Sequence, residues 1–424
     1  MIKRDYYLNR LIQNMWNGEI KVITGIRRCG KSVLLFDLFY EYLLEQGNKE
    51  DHIIKLELDQ RRYYKYRNPI TLCDYVESII SKNTDEKFYL LIDEVQFTIT
   101  VKDEENDGIA VTIYDMLNEL KAYKNLDVYV TGSNSRMLSK DIATEFRGRA
   151  SQIHVYPLSF DEFYAYVGGD RREALDQYML YGGMPRIAAL KEERDKKAYL
   201  SNLYDELYIK DIVERNHLER EDILNAILDF IASQIGSLTN PTNIANTLTS
   251  LRHEEINSVL VSSYLAHTMD SFLITMAKRY DVKGKTYFRY PNKYYYTDIG
   301  LRNARLNYRQ YDPGHIMENI IYNELLKRGY SVDVGVVTER KKNEKRQREI
   351  DFVVNDGDRR IYIQSAYQMT TEQKESTELL SLKLTGDFFK KIVIRMDIPH
   401  YFYDENGFFH CNIMDFLLGE VELF

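Results

Sequence analysis

Short apolar runs alternate with amphipathic stretches through residues 1–160 of the chain. The runs at 20–24, 88–92 and 126–130 have the length and the β-branched or aromatic content of buried parallel strands. After the first run, apolar residues recur at helical spacing, and Gly47 stands where such a helix would stop. The apolar positions of this helix are Val33, Leu34, Leu35, Leu38, Phe39, Tyr42 and Leu43. The pattern predicts an α/β domain with a parallel sheet.

Three further segments follow, each with its own pattern. Residues 161–222 are mostly helical by spacing, with breaks at two glycine pairs. Residues 223–312 contain three amphipathic helices and then a hairpin with Lys283-Gly284-Lys285 at its tip, which predicts a winged helix. Residues 313–424 follow the order helix, strand, strand, strand, which predicts a small α/β domain. We therefore expect four parts in the chain.

Composition is that of a soluble globular protein. The chain has 424 residues, of which 44% are hydrophobic and 29% are charged, and it has no apolar run of membrane-spanning length and no signal-peptide segment. Its three cysteines, Cys29, Cys73 and Cys411, are too widely spaced for a disulfide framework or a zinc site. We therefore expect a cytoplasmic protein that has no membrane partner. The net charge of −8 indicates no general attraction to nucleic acid.

A complete phosphate-binding loop, G-x-x-x-x-G-K-S, joins the first predicted strand to the first predicted helix. In such a loop the backbone N–H groups and the helix dipole converge on the phosphates of a nucleotide. Lys31 can then reach the β- and γ-phosphates, and the Ser32 hydroxyl can ligate Mg²⁺. ATP and Mg²⁺ are the expected cofactors. The residues expected to bind the nucleotide are Gly25, Ile26, Arg27, Arg28, Cys29, Gly30, Lys31, Ser32 and Val33.

Two carboxylates follow the second predicted strand. Because ligands bind at the carboxyl ends of parallel strands, Asp93 is expected beside Ser32 and the Mg²⁺ ion. Glu94 is then placed to activate a water molecule for attack on the γ-phosphate. The alternative is an ordinary buried strand followed by two acidic surface residues. Such a strand with two acidic residues after it is common by itself. It is rare for a phosphate loop and then such a strand to occur in this order by chance.

Polar and basic residues follow the third predicted strand. Asn134 is a candidate for sensing the γ-phosphate or holding the attacking water, and the alternative is a turn of small polar residues. Arg147 and Arg149 are candidates for an arginine finger, which stabilises charge on the transferred phosphoryl group. Such an arginine acts either within its own chain or from a neighbouring subunit. The alternative for both is an ordinary surface arginine.

These motifs, in their order, resemble those of AAA-superfamily ATP-binding proteins of bacteria and archaea. The resemblance rests on the loop at 25–32, on Leu-Leu-Ile-Asp-Glu-Val-Gln at 90–96 and on Val-Thr-Gly-Ser-Asn-Ser at 130–135. It also rests on Phe-Arg-Gly-Arg at 146–149, Pro-Leu-Ser-Phe-Asp-Glu-Phe at 157–163 and Tyr-Gly-Gly-Met-Pro at 181–185. It implies an additional-strand AAA core over 1–160, a helical lid over 161–222 and a winged helix over 223–312.

Two finer expectations come from the same resemblance. As in the signal-transducing STAND ATPases, it places Gly183, Met184 and Pro185 beside the adenine. Residues 102–108 look like a solvated insertion, which leaves the contacts near Gln96 open.

Residues 313–424 resemble the restriction-endonuclease-like fold. Its metal-dependent site needs an Asp, then a Glu or Gln, one residue and a Lys. Asp351 and Gln364 match the first two positions and Glu318 matches a helix carboxylate, but position 366 is Ala instead of Lys. Without that ammonium group nothing holds the attacking water or offsets developing charge. The residues predict a degenerate domain that does not cut DNA, and a nuclease with a migrated lysine such as Lys374 is the alternative.

Two functions follow from these expectations. In the first, the chain is a Mg²⁺-dependent ATPase that works as a nucleotide-controlled switch, with the C-terminal domains as an interaction or DNA-holding module. In the second, it is an ATP-controlled, metal-dependent DNA nuclease. The basic wing makes it possible that the chain contacts DNA, and the alternative is a winged helix used as a spacer or protein-contact module. An unknown protein partner and an oligomer fit either function. The basic residues of the wing are Lys278, Arg279, Lys283, Lys285, Arg289 and Lys293.

Overall fold

The computed structural model of the protein describes residues 1–104, 108–132, 150–341 and 344–424. The chain folds into two compact units. The first consists of Met1–Tyr156 with Asp270–Phe272, and the second consists of Pro157–Met269 with Leu273–Phe424.

The first unit is built on a five-stranded sheet in which every neighbouring pair of strands is parallel. The described strands of the unit are β1 (Ile20–Thr24), β2 (Ile53–Glu57), β3 (Phe88–Asp93), β4 (Val101–Asp103), β5 (Ile109–Val111), β6 (Leu126–Gly132) and β7 (Ala150–His154). The spatial order of the sheet is β2-β3-β6-β1-β7, so β6 lies between β1 and β3. This inserted strand confirms the additional-strand α/β core that the sequence predicted.

Helices cover the sheet, and every residue of β1, β3 and β6 is buried, as expected for parallel strands packed on both faces. The helix after the phosphate loop continues from Lys31–Val33 through a π-helical segment, Leu34–Phe39, into Tyr40–Glu45. Val33 lies on the solvent side of this helix, not on the expected apolar face, because it is 42% exposed. Among the described residues of this unit, the other helices are Asp5–Gln13, Pro69–Ile80 and Ile113–Leu120, with 3₁₀ turns at Glu50–His52, Arg61–Arg67 and Val95–Phe97.

Part of the stretch at 102–108 that looked like an inserted loop is strand: residues 102 and 103 belong to β4, and β5 begins at Ile109. Strands β4 and β5 pair antiparallel, with Val101 opposite Val111. Residues 105–107 lie outside the described part of the chain.

The second unit begins with a long helical region. The segment expected to be helical, 161–222, contains Phe160–Val167, Arg171–Tyr181, Pro185–Ala189, Glu193–Asn202, a π-helical stretch at Leu203–Ile209, and Lys210–Asn216. Glu221–Ser233, Pro241–Arg252 and Ser258–Asp270 follow as the three expected amphipathic helices. The remaining helices are Ile299–Arg305, Pro313–Lys327, Glu372–Lys383 and Ile413–Leu417. Among all described helices, none is long and apolar enough to cross a membrane.

The described strands of this unit are β8 (Ile274–Ala277), β9 (Arg279–Asp281), β10 (Thr286–Tyr287), β11 (Lys293–Tyr296), β12 (Ser331–Lys341), β13 (Glu344–Asp356), β14 (Arg359–Ala366), β15 (Lys390–Arg395), β16 (Phe402–Tyr403) and β17 (Phe409–Asn412). Eight of them form one sheet, in the order β10-β9-β12-β13-β14-β15-β17-β16. Strands β12, β13 and β14 form an antiparallel meander, whereas β14, β15 and β17 are parallel neighbours. Strand β11 pairs with β8 outside this sheet.

The predicted wing is joined to this sheet. Strands β9 and β10 form the expected antiparallel hairpin around the Lys283-Gly284-Lys285 turn. Strand β9 also pairs parallel with β12, with Arg279 opposite Val334. The hairpin therefore extends the C-terminal sheet instead of standing free.

Candidate functional site

The phosphate loop leaves β1 through a glycine that no other residue could replace without a clash. Gly25 has φ +144°, and a Cβ atom at this position would lie 2.1 Å from the carbonyl oxygen of Val155. Gly30 has φ +102° and caps the N-terminus of the helix that starts at Lys31. Arg28 also has a positive φ, of 62°. The loop thus bends sharply around the end of β1, with its backbone against the residue after β7.

Lys31 is held inside the loop, where it is 3% exposed. Its ammonium group donates hydrogen bonds to the carbonyl oxygens of Gly25 and Ile26, at 3.0 and 3.2 Å. Cys29 is also buried: its thiol lies 3.3 Å from the Val155 oxygen, and burial raises its pKa. A buried, protonated thiol is unreactive, so Cys29 acts here as a small packing residue.

Asp93 ends β3 beside the phosphate loop. Its carboxylate accepts hydrogen bonds from the hydroxyl groups of Thr131 and Ser32. Burial raises the pKa of Asp93, although these two hydroxyls and the Lys31 ammonium favour its ionised form. The structure therefore brings together the two residues that the sequence predicted as Mg²⁺ ligands.

Thr131, on β6, also fixes Glu94. The backbone N–H of Glu94 donates to Oγ1 of Thr131 at 3.0 Å. Glu94 has φ +54°, and its carboxylate accepts a hydrogen bond from the side-chain amide of Gln96. Thr131 was not among the residues predicted from the sequence, because the candidates at this strand end were the polar residues after it. The signal that could have identified Thr131 is its hydroxyl group at the carboxyl end of the inserted strand.

His154 is a second residue that sequence reasoning missed. A hydrogen bond joins its Nδ1 to Oγ1 of Thr24, at 2.8 Å, and its ring packs against Tyr156 and Phe272. Burial of the ring, with a smaller effect of the Lys31 ammonium, lowers the pKa of His154 to about 4. The residue is therefore neutral at physiological pH.

Four candidates for the nucleotide site remain sequence-based predictions. Asn134, Arg147 and Arg149 lie outside the described residues. Pro185 begins the helix Pro185–Ala189 in the second unit. In the same unit the backbone N–H of Gly183 donates to the carboxylate of Asp298 at 2.7 Å, which fixes the turn before Pro185.

The second group of predicted residues also comes together, around an unexpected lysine. Glu318 lies on the helix Pro313–Lys327, Asp351 on β13 and Gln364 on β14, and all three are buried. Nζ of Lys293, on β11, lies 2.7 Å from Glu318 and 3.9 Å from Asp351. It also lies 2.6 Å from Glu349, which was not predicted as a site residue.

In this cluster, burial and the neighbouring charges shift the pKa values of Lys293 and Asp351. Burial opposes the charge of Lys293, but the carboxylates of Glu318, Glu349 and Asp351 raise its pKa well above the usual range. Burial and the neighbouring Glu318 raise the pKa of Asp351, while Lys293 counteracts them. Lys293 thus stays an ammonium ion that neutralises part of a buried acidic cluster.

Two of the six basic residues assigned to the wing are not available to DNA, which corrects that expectation. Lys293 is buried among the carboxylates, and Arg279 is 7% exposed and donates to the side chain of Gln347 at 2.8 Å. The remaining four residues are exposed: Lys278, Lys283, Lys285 and Arg289.

Known families match three consecutive parts of the chain. An AAA domain matches residues 17–164. A domain of unknown function (DUF8612) matches residues 172–312, and another (DUF4143) matches residues 313–413. An uncharacterised protein of Haemophilus influenzae is 36% identical over 401 residues, 93% of either chain. The chain belongs to the family of this protein.

A protein of an archaeon is also similar to this chain. The uncharacterised protein MJ1544 of Methanocaldococcus jannaschii is 26% identical over 88% of this chain and 79% of its own length. Among solved structures, the Walker-type ATPase PABY2304 of Pyrococcus abyssi is 16% identical, with a TM-score of 0.48, over 72% of this chain and 96% of that one.

The family boundaries separate the two candidate sites. The AAA domain contains the whole phosphate loop, Asp93 and Glu94, and an AAA fold implies nucleotide binding. Lys293 lies in the first domain of unknown function, whereas Glu318, Glu349 and Asp351 lie in the second.

Proposed function

We propose that this family member is a Mg²⁺-dependent ATPase that uses ATP as a conformational switch. The observation that carries the proposal is the convergence of Ser32, Thr131 and Asp93 at one sheet edge, beside the loop that holds Lys31. A hydroxyl and a carboxylate are the oxygen ligands that Mg²⁺ prefers, so these residues fit the ion. Bound Mg²⁺ would offset the charge that develops on the phosphoryl oxygens.

Each residue of this site has a proposed task. Lys31 exchanges the carbonyl oxygens of Gly25 and Ile26 for phosphate oxygens, because an anion is a stronger partner for its ammonium group. Ser32 and Asp93 hold the ion, directly or through water. Glu94 orients the attacking water and accepts its proton.

Single-turnover and steady-state hydrolysis of ATP test these assignments. We expect Lys31→Ala to lose ATP binding, and Glu94→Gln to keep it while losing hydrolysis. Glu57→Gln is the matched control, since Glu57 is a carboxylate at the same sheet edge, opposite Asp93 on the neighbouring strand β2. Parental turnover in Glu94→Gln would remove Glu94 from the mechanism, and a wild-type protein that hydrolyses no nucleotide would end the proposal.

Residues 313–424 are proposed to form a restriction-endonuclease-like domain that does not cut DNA. The order helix, antiparallel meander, helix and parallel strand supports the fold, and Ala366 at the end of β14 argues against cleavage. Supercoiled and linear DNA incubated with the protein, ATP and Mg²⁺ or Mn²⁺ should stay intact. Cleavage that disappears in Asp351→Asn would favour the ATP-controlled nuclease instead.

The exposed wing lysines support a DNA-holding role. Lys283 and Lys285 stand at the tip of the β9–β10 hairpin and can contact phosphates without reading sequence. Reversing both charges should weaken binding equally for unrelated DNA duplexes and flatten the salt dependence of the affinity. Unchanged affinity, or no binding by the wild type, would leave the C-terminal domains as a protein-interaction module.

A further inference from the structure

The carboxylates at the degenerate nuclease-like site of the second unit already hold a cation that belongs to the chain. Nζ of Lys293 is 2.7 Å from Glu318 and 2.6 Å from Glu349, distances typical of charge-assisted hydrogen bonds. Asp351 lies 3.9 Å away. The lysine side chain is 3% exposed, so water contributes little to its solvation. Three carboxylates therefore share one internal ammonium ion.

Further hydrogen bonds hold these side chains in place. The hydroxyl of Tyr295 donates at 2.6 Å to Oε1 of Glu318, the oxygen that also accepts from Lys293. The backbone N–H of Ser365 donates to Oδ2 of Asp351 at 2.8 Å, and the N–H of Asp351 lies 3.4 Å from Oε1 of Gln364. Mg²⁺ instead needs oxygens in a near-ideal octahedron at about 2.0–2.1 Å. Within the described residues, no group of three or more His, Cys, Asp or Glu side chains is arranged to hold a metal ion.

The residues therefore do not fit the metal ion that a restriction-endonuclease-like site implies. An ammonium group and a divalent cation in the same small cluster would repel each other, and burial strengthens that repulsion. A cavity of about 510 Å³ borders Lys293, Glu318 and Asp351, so space is not what excludes the ion. What excludes it is the charge of Lys293 and the contacts that this lysine makes.

We propose that Lys293 is the resident cation of this site, and that it excludes divalent metal while fastening β11 to the helix Pro313–Lys327 and to β13. The site then has a structural role, since it holds β11 against the helix Pro313–Lys327 and β13, instead of a role in DNA cleavage. This inference shares with the proposed function the interpretation of residues 313–424 as nuclease-like, and it does not depend on ATP hydrolysis.

Mn²⁺ binding to the full-length, nucleotide-free chain tests the proposal. Bound Mn²⁺ is counted by electron paramagnetic resonance in the wild type, in Lys293→Met and in Lys383→Met, which changes an exposed lysine of the helix Glu372–Lys383. We expect one additional Mn²⁺ per chain in Lys293→Met alone. Without metal its thermal midpoint should fall by roughly 5–15 °C, because the buried Glu318 and Asp351 and the partly exposed Glu349 lose their counter-ion, and Mn²⁺ should restore part of this loss.

Two results would overturn the proposal. One is a folded Lys293→Met protein that binds no more Mn²⁺ than the wild type. The other needs no lysine variant: a wild-type chain that binds Mn²⁺ at a site lost in Asp351→Asn, or that cleaves DNA with Mn²⁺ in an Asp351-dependent manner. ATP hydrolysis measured on the same samples separates this failure from failure of the proposed ATPase, which would appear as no turnover in any sample.

Discussion

Replacing Gly25 by alanine tests the geometry of the phosphate loop most directly. The new Cβ would lie 2.1 Å from the Val155 oxygen and 3.1 Å from Sγ of Cys29, and the residue would keep φ near +144°. The carbonyl is backbone, so it cannot rotate away as a side chain would. Either the loop or the end of β7 must move by about 1 Å to restore a normal contact.

The expected magnitude follows from two contributions. Forcing an L-residue into this backbone region costs about 1–3 kcal/mol, and overpacking costs about another 1–3 kcal/mol. Gly47→Ala is the matched control, because Gly47 has φ +83° but nothing lies within 4 Å of its Cβ position. That control should cost only about 1–2 kcal/mol. A displaced loop that loses two charged hydrogen bonds to phosphate should bind ATP roughly 10²–10⁴-fold more weakly.

The chain offers a convenient probe for this measurement. Its single tryptophan, Trp16, lies in the first unit, where its indole N–H donates to the hydroxyl of Tyr89 at 3.1 Å. Urea unfolding followed by Trp16 fluorescence therefore reports on the first unit alone, and a fluorescent ATP analogue reports on affinity. If Gly25→Ala matches Gly47→Ala in stability and binds ATP like the wild type, the explanation of the loop by close backbone approach is wrong.

Three further predictions concern the first unit. Lys21→Met should lower the free energy of unfolding by about 3–5 kcal/mol in the Trp16 assay, because it leaves the buried Asp127 without its cation, whereas the partly exposed Lys55→Met should change it little. The pKa of His154 is about 4 when folded and 6.5 without burial, so the unfolded chain takes up the proton first. Stability should therefore fall as the pH is lowered from 6.5 to 4, and an unchanged slope in His154→Gln would contradict this. Arg149→Ala should reduce ATP turnover by about 10³-fold or more while ATP binding stays measurable. Specific activity that falls on dilution would show that this arginine acts between subunits, whereas near-parental turnover would make it a surface charge.

Much of the first unit could be predicted from the sequence because its signals are local. The phosphate loop is a continuous motif, and Asp93 directly follows a buried apolar run, so strand ends place both at one sheet edge. The positions of Thr131 and His154 depend instead on strand order. Thr131 reaches Asp93 because β6 lies next to β3, and His154 reaches Thr24 because β7 lies next to β1. No periodicity in a single segment contains that information.

In the second unit, the contrast between features that local sequence predicts and features that only the tertiary fold creates is stronger. The order of one helix and the strands after it, and the choice of Glu318, Asp351 and Gln364, followed from local pattern and resemblance. Lys293 was predicted to be a solvated wing residue, because a basic residue near a hairpin usually is one. Its carboxylate partners lie 25 or more residues further along the chain, and only the tertiary fold brings them together. The pairing of β9 with β12 was missed for a similar reason, since a strand of three residues carries almost no pattern.

The pairing of β9 with β12 has a practical consequence for dissecting the protein. Family boundaries divide the chain between residues 312 and 313, yet one sheet and one ion-pair cluster extend across that division. A fragment that begins at residue 313 would lack β9, so the long strand β12 would become an unpaired edge strand that could pair with other copies. It would also lack Lys293, which would leave the buried carboxylates without a counter-ion. The two domains of unknown function lie almost entirely in one compact unit and share one sheet, so soluble expression should require both.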